Sequence, residues 1–271
     1  MNTKTASPLS LSSAPRFPLL ELLHPREQTG AVLLMLALGV LVGGIAVWLG
    51  MLKLWMATTL VLGLVLVPGI FKWRTDLRRY GPTVMVLSIL LVTQGFHTVE
   101  HIMQVIQYHL FHWPMRLSSG LISAANSEWV HFFWNWAVVL ITLGLILAGM
   151  RNAWAWLLLA WSFAHALEHA YMFMRYLEMV QHLKQLGFPA LSAQGLPGIL
   201  GRDGWLATSP WTQGTFLYRL PGLTTAPRLD IHFWWNIGET IWLFLAAHTF
   251  LRERLRPNQA QTLKVSETFR V

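Results

Sequence analysis

Residues 97–101 read HTVEH, and residues 165–169 read HALEH. Each string is followed eleven residues after its first histidine by a tyrosine, Tyr108 or Tyr176. Further on come HFFWN at 131–135 and HFWWN at 232–236. The shared pattern is HxxEHxxxxxxY, a connection, then HF[FW]WN. Two copies in the same order point to an internal duplication. The repeated residues are metal-ligand types set in apolar segments, where polar side chains are costly and usually functional.

The surrounding composition is that of a membrane protein. The chain has 271 residues, 54% hydrophobic and 12% charged, with a mean hydropathy of +0.46. A soluble protein carries about 25% charged residues. Fifteen tryptophans and fourteen phenylalanines suit aromatic belts at bilayer interfaces. The chain has no cysteine, which excludes disulfides, thiolate metal sites, iron–sulfur clusters and a cysteine nucleophile. A net charge of +8 could suit nucleic acid. The basic residues, however, lie in short runs between apolar segments, so a bilayer is the expected partner and nucleic acid is not.

A span needs about 20 apolar residues. Six stretches qualify: 30–50, 54–72, 82–111, 128–150, 153–182 and 231–251. The expected organisation is a polar N-terminal segment (1–29) and two accessory helices within 30–80, followed by repeat 1 (81–150). Repeat 2 (151–251) carries an outer loop at 186–229, and a polar tail (252–271) follows. Within the N-terminal segment, Pro18 to Leu23 could form a short interfacial helix. The segment lacks the apolar core of a cleavable signal peptide. The outer loop is rich in Gly, Pro and Trp, and Trp205, Trp211, Phe216 and Tyr218 suggest an ordered cap. With six spans, thirteen Lys and Arg fall on the side of the termini and six on the other. That places both termini in the cytoplasm of a plasma or inner membrane.

This topology fixes depth. His97 lies about 22 Å along the third span, and His165 to His169 about 18–24 Å along the fifth, at 1.5 Å per residue. His131 and His232 fall in the first turns of spans that start outside. All the repeated histidines therefore reach one depth in the outer half of the bilayer.

Helical spacing gathers them on faces. Residues i, i+3 and i+4 share one side of a helix, which aligns His97, Glu100, His101, Gln104 and Tyr108. His165, Glu168, His169, Met172 and Tyr176 align in the same way. Glu128, His131 and Asn135 share a face, as do His232, Asn236 and Glu239. Asp230 precedes His232, and an acid at a helix start can also cap it. The expected fold is an all-α polytopic membrane protein in which two parallel helical hairpins form a four-helix bundle. The candidate ligands are His97, Glu100, His101, Glu128, His131, His165, Glu168, His169, Asp230, His232 and Glu239. Glu100 and Glu168 either bind metal or orient an imidazole, and with Tyr108 and Tyr176 they are the candidate catalytic residues. Imidazole with carboxylate suits iron first, then copper or zinc, rather than calcium or magnesium. A bis-histidine heme would use only His97 and His165.

HxxxH, satisfied by His97/His101 and His165/His169, resembles the histidine boxes of the membrane di-iron enzymes. These are the alkane hydroxylase and fatty-acid desaturase or hydroxylase group. The chain lacks that group's HxxHH boxes, and the likeness covers motif type alone. It implies oxygen-dependent chemistry on an apolar substrate, with an electron-donor protein as partner. The expectation is a membrane oxidoreductase with a dinuclear centre. An intramembrane zinc hydrolase is the alternative within enzymes. A metal transporter, or a heme- or pigment-bearing subunit of an electron-transfer complex, is the alternative outside them.

Overall fold

A computed structural model describes residues 17–123, 127–188 and 195–254. Most of the N-terminal segment (with Lys4 and Arg16), residues 189–194 of the outer loop and the tail from 255 (with Arg256, Lys264 and Arg270) lie outside the described residues. Among the described residues the chain is all-helical. Its α-helices are α1 (Pro18–Leu23), α2 (Thr29–Trp48), α3 (Leu54–Tyr80), α4 (Pro82–Val105), α5 (Glu128–Leu147), α6 (Ala153–Gln185), α7 (Trp205–Thr208) and α8 (Arg228–Arg254).

Among the described residues, four segments are long and apolar enough to cross a membrane: Arg26–Trp48, Leu54–Tyr80, Pro82–Leu110 and Glu128–Leu147. The expected fifth and sixth spans correspond to α6 and α8, which are 33 and 27 residues long. Their length suffices, but polar residues dilute their apolar content. Many of these residues, His165, Glu168 and His169 on α6 and His232, Asn236 and Glu239 on α8, are buried inside the protein.

The breaks between helices have local causes. Gly81 adopts φ +85°, which a side chain disfavours, and Pro82 opens α4, where its missing N–H costs nothing. Asn152 caps α6 by accepting from the backbone N–H of Ala155 at 3.0 Å. Its Nδ2 also donates to the carbonyl of Ala246 on α8.

The long helices close a ring of contacts, α4 to α5, α5 to α6, α6 to α8 and α8 back to α4. One end of this ring is an apolar core. Leu87, Leu90 and Leu91 of α4 meet Leu145 and Ile146 of α5, Leu158 of α6, and Leu243 and Leu251 of α8. Leu22 of α1 also packs into this core, so the segment Pro18–Leu23 is a helix docked on this apolar end. The histidines occupy the other end.

Helix α2 packs chiefly on α3, through small residues. A Cβ on Gly43 would sit 3.2 Å from the Ala57 Cβ, and one on Gly39 would sit 3.1 Å from the Val61 Cα. This is the close approach that a small-xxx-small pattern allows between helices in lipid. Gly43→Leu is expected to force α2 from α3 at a cost of about 1–3 kcal/mol, as overpacking typically does. A lowered thermal midpoint in detergent would register it.

Candidate metal centre

Six buried or half-buried imidazoles form one continuous cluster. Within the first repeated set, the rings of His97 and His101 lie 4.8 Å apart, and His131 lies 5.5 and 5.8 Å from them. Within the second, His165 and His169 are 4.8 Å apart, and His232 lies 6.5 and 4.9 Å from them. The sets join through His131–His169 at 5.2 Å and His101–His232 at 6.1 Å. The histidines of the two repeated strings thus meet in one cluster.

The local chemistry of the two sets corresponds. His131 Nδ1 lies 3.3 Å from the Ser127 carbonyl, and His232 Nδ1 lies 2.8 Å from the Arg228 carbonyl, each four residues back. A carbonyl only accepts, so Nδ1 carries the proton and Nε2 keeps its lone pair. Asn135 and Asn236 donate to the carbonyls of His131 and His232, again four residues back. Trp134, the fourth residue of HFFWN, packs on His97 at 5.8 Å, and Trp235, its counterpart, stacks on His165 at 5.3 Å.

The free nitrogens fit a metal. His97 Nε2 and His232 Nε2 are buried with no hydrogen-bond partner, and so are the Nδ1 atoms of His165 and His169, which carry the proton when Nε2 is the ligand nitrogen. Each unmet buried polar group costs about 1–3 kcal/mol, so such a concentration is hard to explain by packing. His165 Nε2 and His169 Nε2 face each other at 3.1 Å. Two imidazole nitrogens sharing one ion at about 2.0–2.1 Å are separated by roughly 2.9 Å at octahedral and 3.3 Å at tetrahedral angles. The ligand atoms of His97, His101 and His131 lie within 4.8 Å of one another, a group that could hold a metal ion.

Two cavities meet at the cluster. An apolar one of about 700 Å³ runs between α3, α4 and α5 and ends against His97 and His131. A polar one of about 560 Å³ is lined by His101, His131, His169 and His232 with Gln104, Arg116 and Arg228. His131 borders both. On the side of His165, tryptophans form a wall. Trp161 meets Trp235 at 5.0 Å and donates to its carbonyl, and Trp242 stacks on Trp154. Gly238 leaves the room that the Trp161 ring occupies.

The acidic candidates have other partners. Glu100 accepts from the backbone N–H groups of Leu121 and Ile122 at 2.8 and 2.7 Å. Glu168 accepts from Leu200 N–H at 3.2 and 3.3 Å. Both carboxylates therefore hold interhelix loops by their amides. Glu128 Oε1 accepts from Arg228 Nη2 at 2.7 Å, which ties α5 to α8 over the polar cavity. Asp230 pairs with exposed His109 at 2.7 Å, not with the cluster. Among these acidic candidates Glu239 is the one beside an imidazole of the cluster, 3.5 Å from His165 Nδ1, and Gln94 donates to it at 2.9 Å.

The tyrosines also differ from expectation. Tyr108 packs edge-on against His109, and Tyr176 stacks on Phe173. Helix α4 widens into a π turn over Ile106–Leu110, which takes Tyr108 off the stripe. Gln107 is buried in its place, donating to Gly120 O at 3.1 Å and accepting from Gly120 N–H at 2.8 Å. The outer loop is ordered at its described residues, but its aromatics face outward: Trp211 is 85% and Phe216 71% exposed. Leu206, Ser209, Thr212, Thr224 and Leu229 are among its buried residues instead.

Sequence reasoning missed Gln94, Gln107 and the loop strings Gly120-Leu121-Ile122 and Gly198-Ile199-Leu200. Those strings share a pattern, glycine and two aliphatics, that carried a readable signal. A Cβ on Gly120 would meet the Glu100 carboxylate, and a Cβ on Gly198 would meet that of Glu168.

No known protein family, curated protein or solved structure matches this chain.

Proposed function

We propose that the protein is a membrane-embedded metalloenzyme, an oxidoreductase acting on an apolar substrate at a dinuclear histidine centre. In this reading the chain crosses the bilayer six times, with both termini cytoplasmic. The ring of α4, α5, α6 and α8 is a four-helix bundle of two duplicated hairpins. The observation that carries the reading is a continuous cluster of six imidazoles, several with orphaned nitrogens, standing where an apolar cavity meets a polar one.

His97, His101 and His131 would hold one ion and His165, His169 and His232 the other, with iron the first candidate and copper or zinc behind it. Such an ion supplies dioxygen activation or Lewis acidity according to its identity. The chain's own residues supply the rest. The carbonyls of Ser127 and Arg228 fix two imidazole tautomers, and Glu239 with Gln94 orients His165. The apolar cavity admits substrate from the lipid, and the polar cavity supplies water and protons. The two halves are not equivalent in this scheme. The first set alone borders the apolar cavity and faces substrate, while in the second tryptophan packs against His165 and the polar cavity is left to His169 and His232, which suits that set to hold charge or electrons delivered by a donor protein. A zinc hydrolase that uses a glutamate of HxxEH as general base fits less well, because both of those glutamates are engaged by loop amides.

The test is metal analysis of the protein purified in detergent. Between about one and two transition-metal ions per chain are expected, with an electron paramagnetic resonance or visible signal typical of histidine ligation. A protein without stoichiometric metal, which also fails to take up iron, copper or zinc, would defeat the proposal.

A further inference from the structure

The apolar cavity contains one amine. Lys72 of α3 lines it and is only 7% exposed. Its ammonium donates to Asp76 Oδ2 at 2.5 Å and to Ser88 Oγ of α4 at 2.6 Å. An ammonium has three N–H groups, so one donor is left over. The threonines lining the same cavity have no such spare capacity. Thr59 and Thr93 each donate to a carbonyl of their own helix. A buried ion pair in an apolar segment is usually less stable than well-packed hydrophobic side chains of the same size, so stability does not account for it. The pair is neutral as a unit. What it offers the cavity is a strong hydrogen-bond donor rather than net charge.

We infer that this cavity binds a single-headed amphiphile, with a neutral carbonyl or hydroxyl oxygen accepting from Lys72 Nζ and a hydrocarbon chain extending to His97 and His131. Ser88 marks the level of the head on α4, and His97 lies about 14 Å further along that helix at 1.5 Å per residue. An extended chain covers that distance in roughly eleven carbon–carbon bonds of about 1.5 Å each, after allowing for its zigzag. The chain position presented to the histidines is therefore remote from the head. Of the inference, only the chemistry at the far end of the chain rests on the metal reading; head-group binding does not.

The experiment uses the full-length protein in phosphatidylcholine nanodiscs and two photoreactive long-chain methyl ketones. One carries a diazirine at the chain terminus and the other beside the carbonyl; a hydrocarbon diazirine without the ketone is the control. The terminal probe is expected to label the peptides around Phe96, Val130 and Trp134. The carbonyl-adjacent probe is expected to label those around Gly69 and Trp73. Lys72→Met should lower this positional preference roughly tenfold, the worth of one hydrogen bond to a charged donor, and leave hydrocarbon labelling unchanged. Lys72→Met leaves Asp76 unpaired, so Lys72→Met/Asp76→Leu serves as the second variant, removing both charges together. A reversed labelling order, or the same order in both variants as in the wild type, would overturn the inference. So would a hydrocarbon probe that labels as selectively as the ketones. Metal content is measured on the same samples. Ordered labelling without metal leaves this site standing and removes the metal reading; metal with unordered labelling does the reverse.

Discussion

His131→Ala is expected to empty the centre, with metal affinity falling on the order of a hundredfold or more. Altering residues that merely orient a ligand already costs about 10- to 100-fold. His131 touches His97, His101 and His169, bridging the two sets, and borders both cavities. Its Nδ1 is held by the Ser127 carbonyl, so Nε2 is the atom left to bind. Asn135→Ala is the matched control. Asn135 lies on the same face but donates to a backbone carbonyl, so its loss should leave most of the metal in place. Metal per chain, measured after dialysis against a mild chelator, separates the outcomes. If His131→Ala retains a full complement, the imidazole cluster is not a shared site.

The histidines were legible because the rule that reveals them is local. Spacings of three and four residues put His97 with His101 and His165 with His169 on one helix face, and counting 1.5 Å per residue set a common depth. Ring contacts between His131 and His169, and between His101 and His232, follow from that depth once the helices pack. What stayed hidden depends on partners far apart in the chain. Gln94 and Glu239 meet across α4 and α8, 145 residues apart, and no periodicity within either helix marks the pair. Lys72, at the end of the apolar stretch 54–72, is buried against Ser88, a partner no pattern within α3 marks. The stripe through Tyr108 failed for a different reason. It assumed 3.6 residues per turn through residue 108, and the π turn from Ile106 breaks that count, bringing Gln107 inward. The same limit applies to α6 and α8. Their polar residues depress apolar content, and only the packed helices reveal that those residues face inward.

Glu100→Gln and Glu168→Gln are expected to leave the metal in place and loosen the interhelix loops. Each glutamine keeps a carbonyl oxygen able to accept one N–H. At Glu100, one of the two amides from Leu121 and Ile122 would lose its carboxylate oxygen. Losing a hydrogen bond to a charged group costs about 1.5–3 kcal/mol. Glu168 is held by Leu200 N–H at longer distances, so its substitution should cost less than that of Glu100. Gly120→Ala should strike the same joint from the other side. Its φ of +75° disfavours a side chain, and the added Cβ would meet the Glu100 carboxylate. Hydrogen exchange across residues 118–123 and 196–201 reads the loosening, and metal per chain is measured on the same protein. Faster exchange at full metal content would identify the glutamates as loop anchors. A fall in metal matching that of a histidine variant would make them ligands. The distinction bears on the chemistry, because a carboxylate held by backbone amides is not free to act as a base, and proton traffic would then have to use the polar cavity under Arg116 and Arg228.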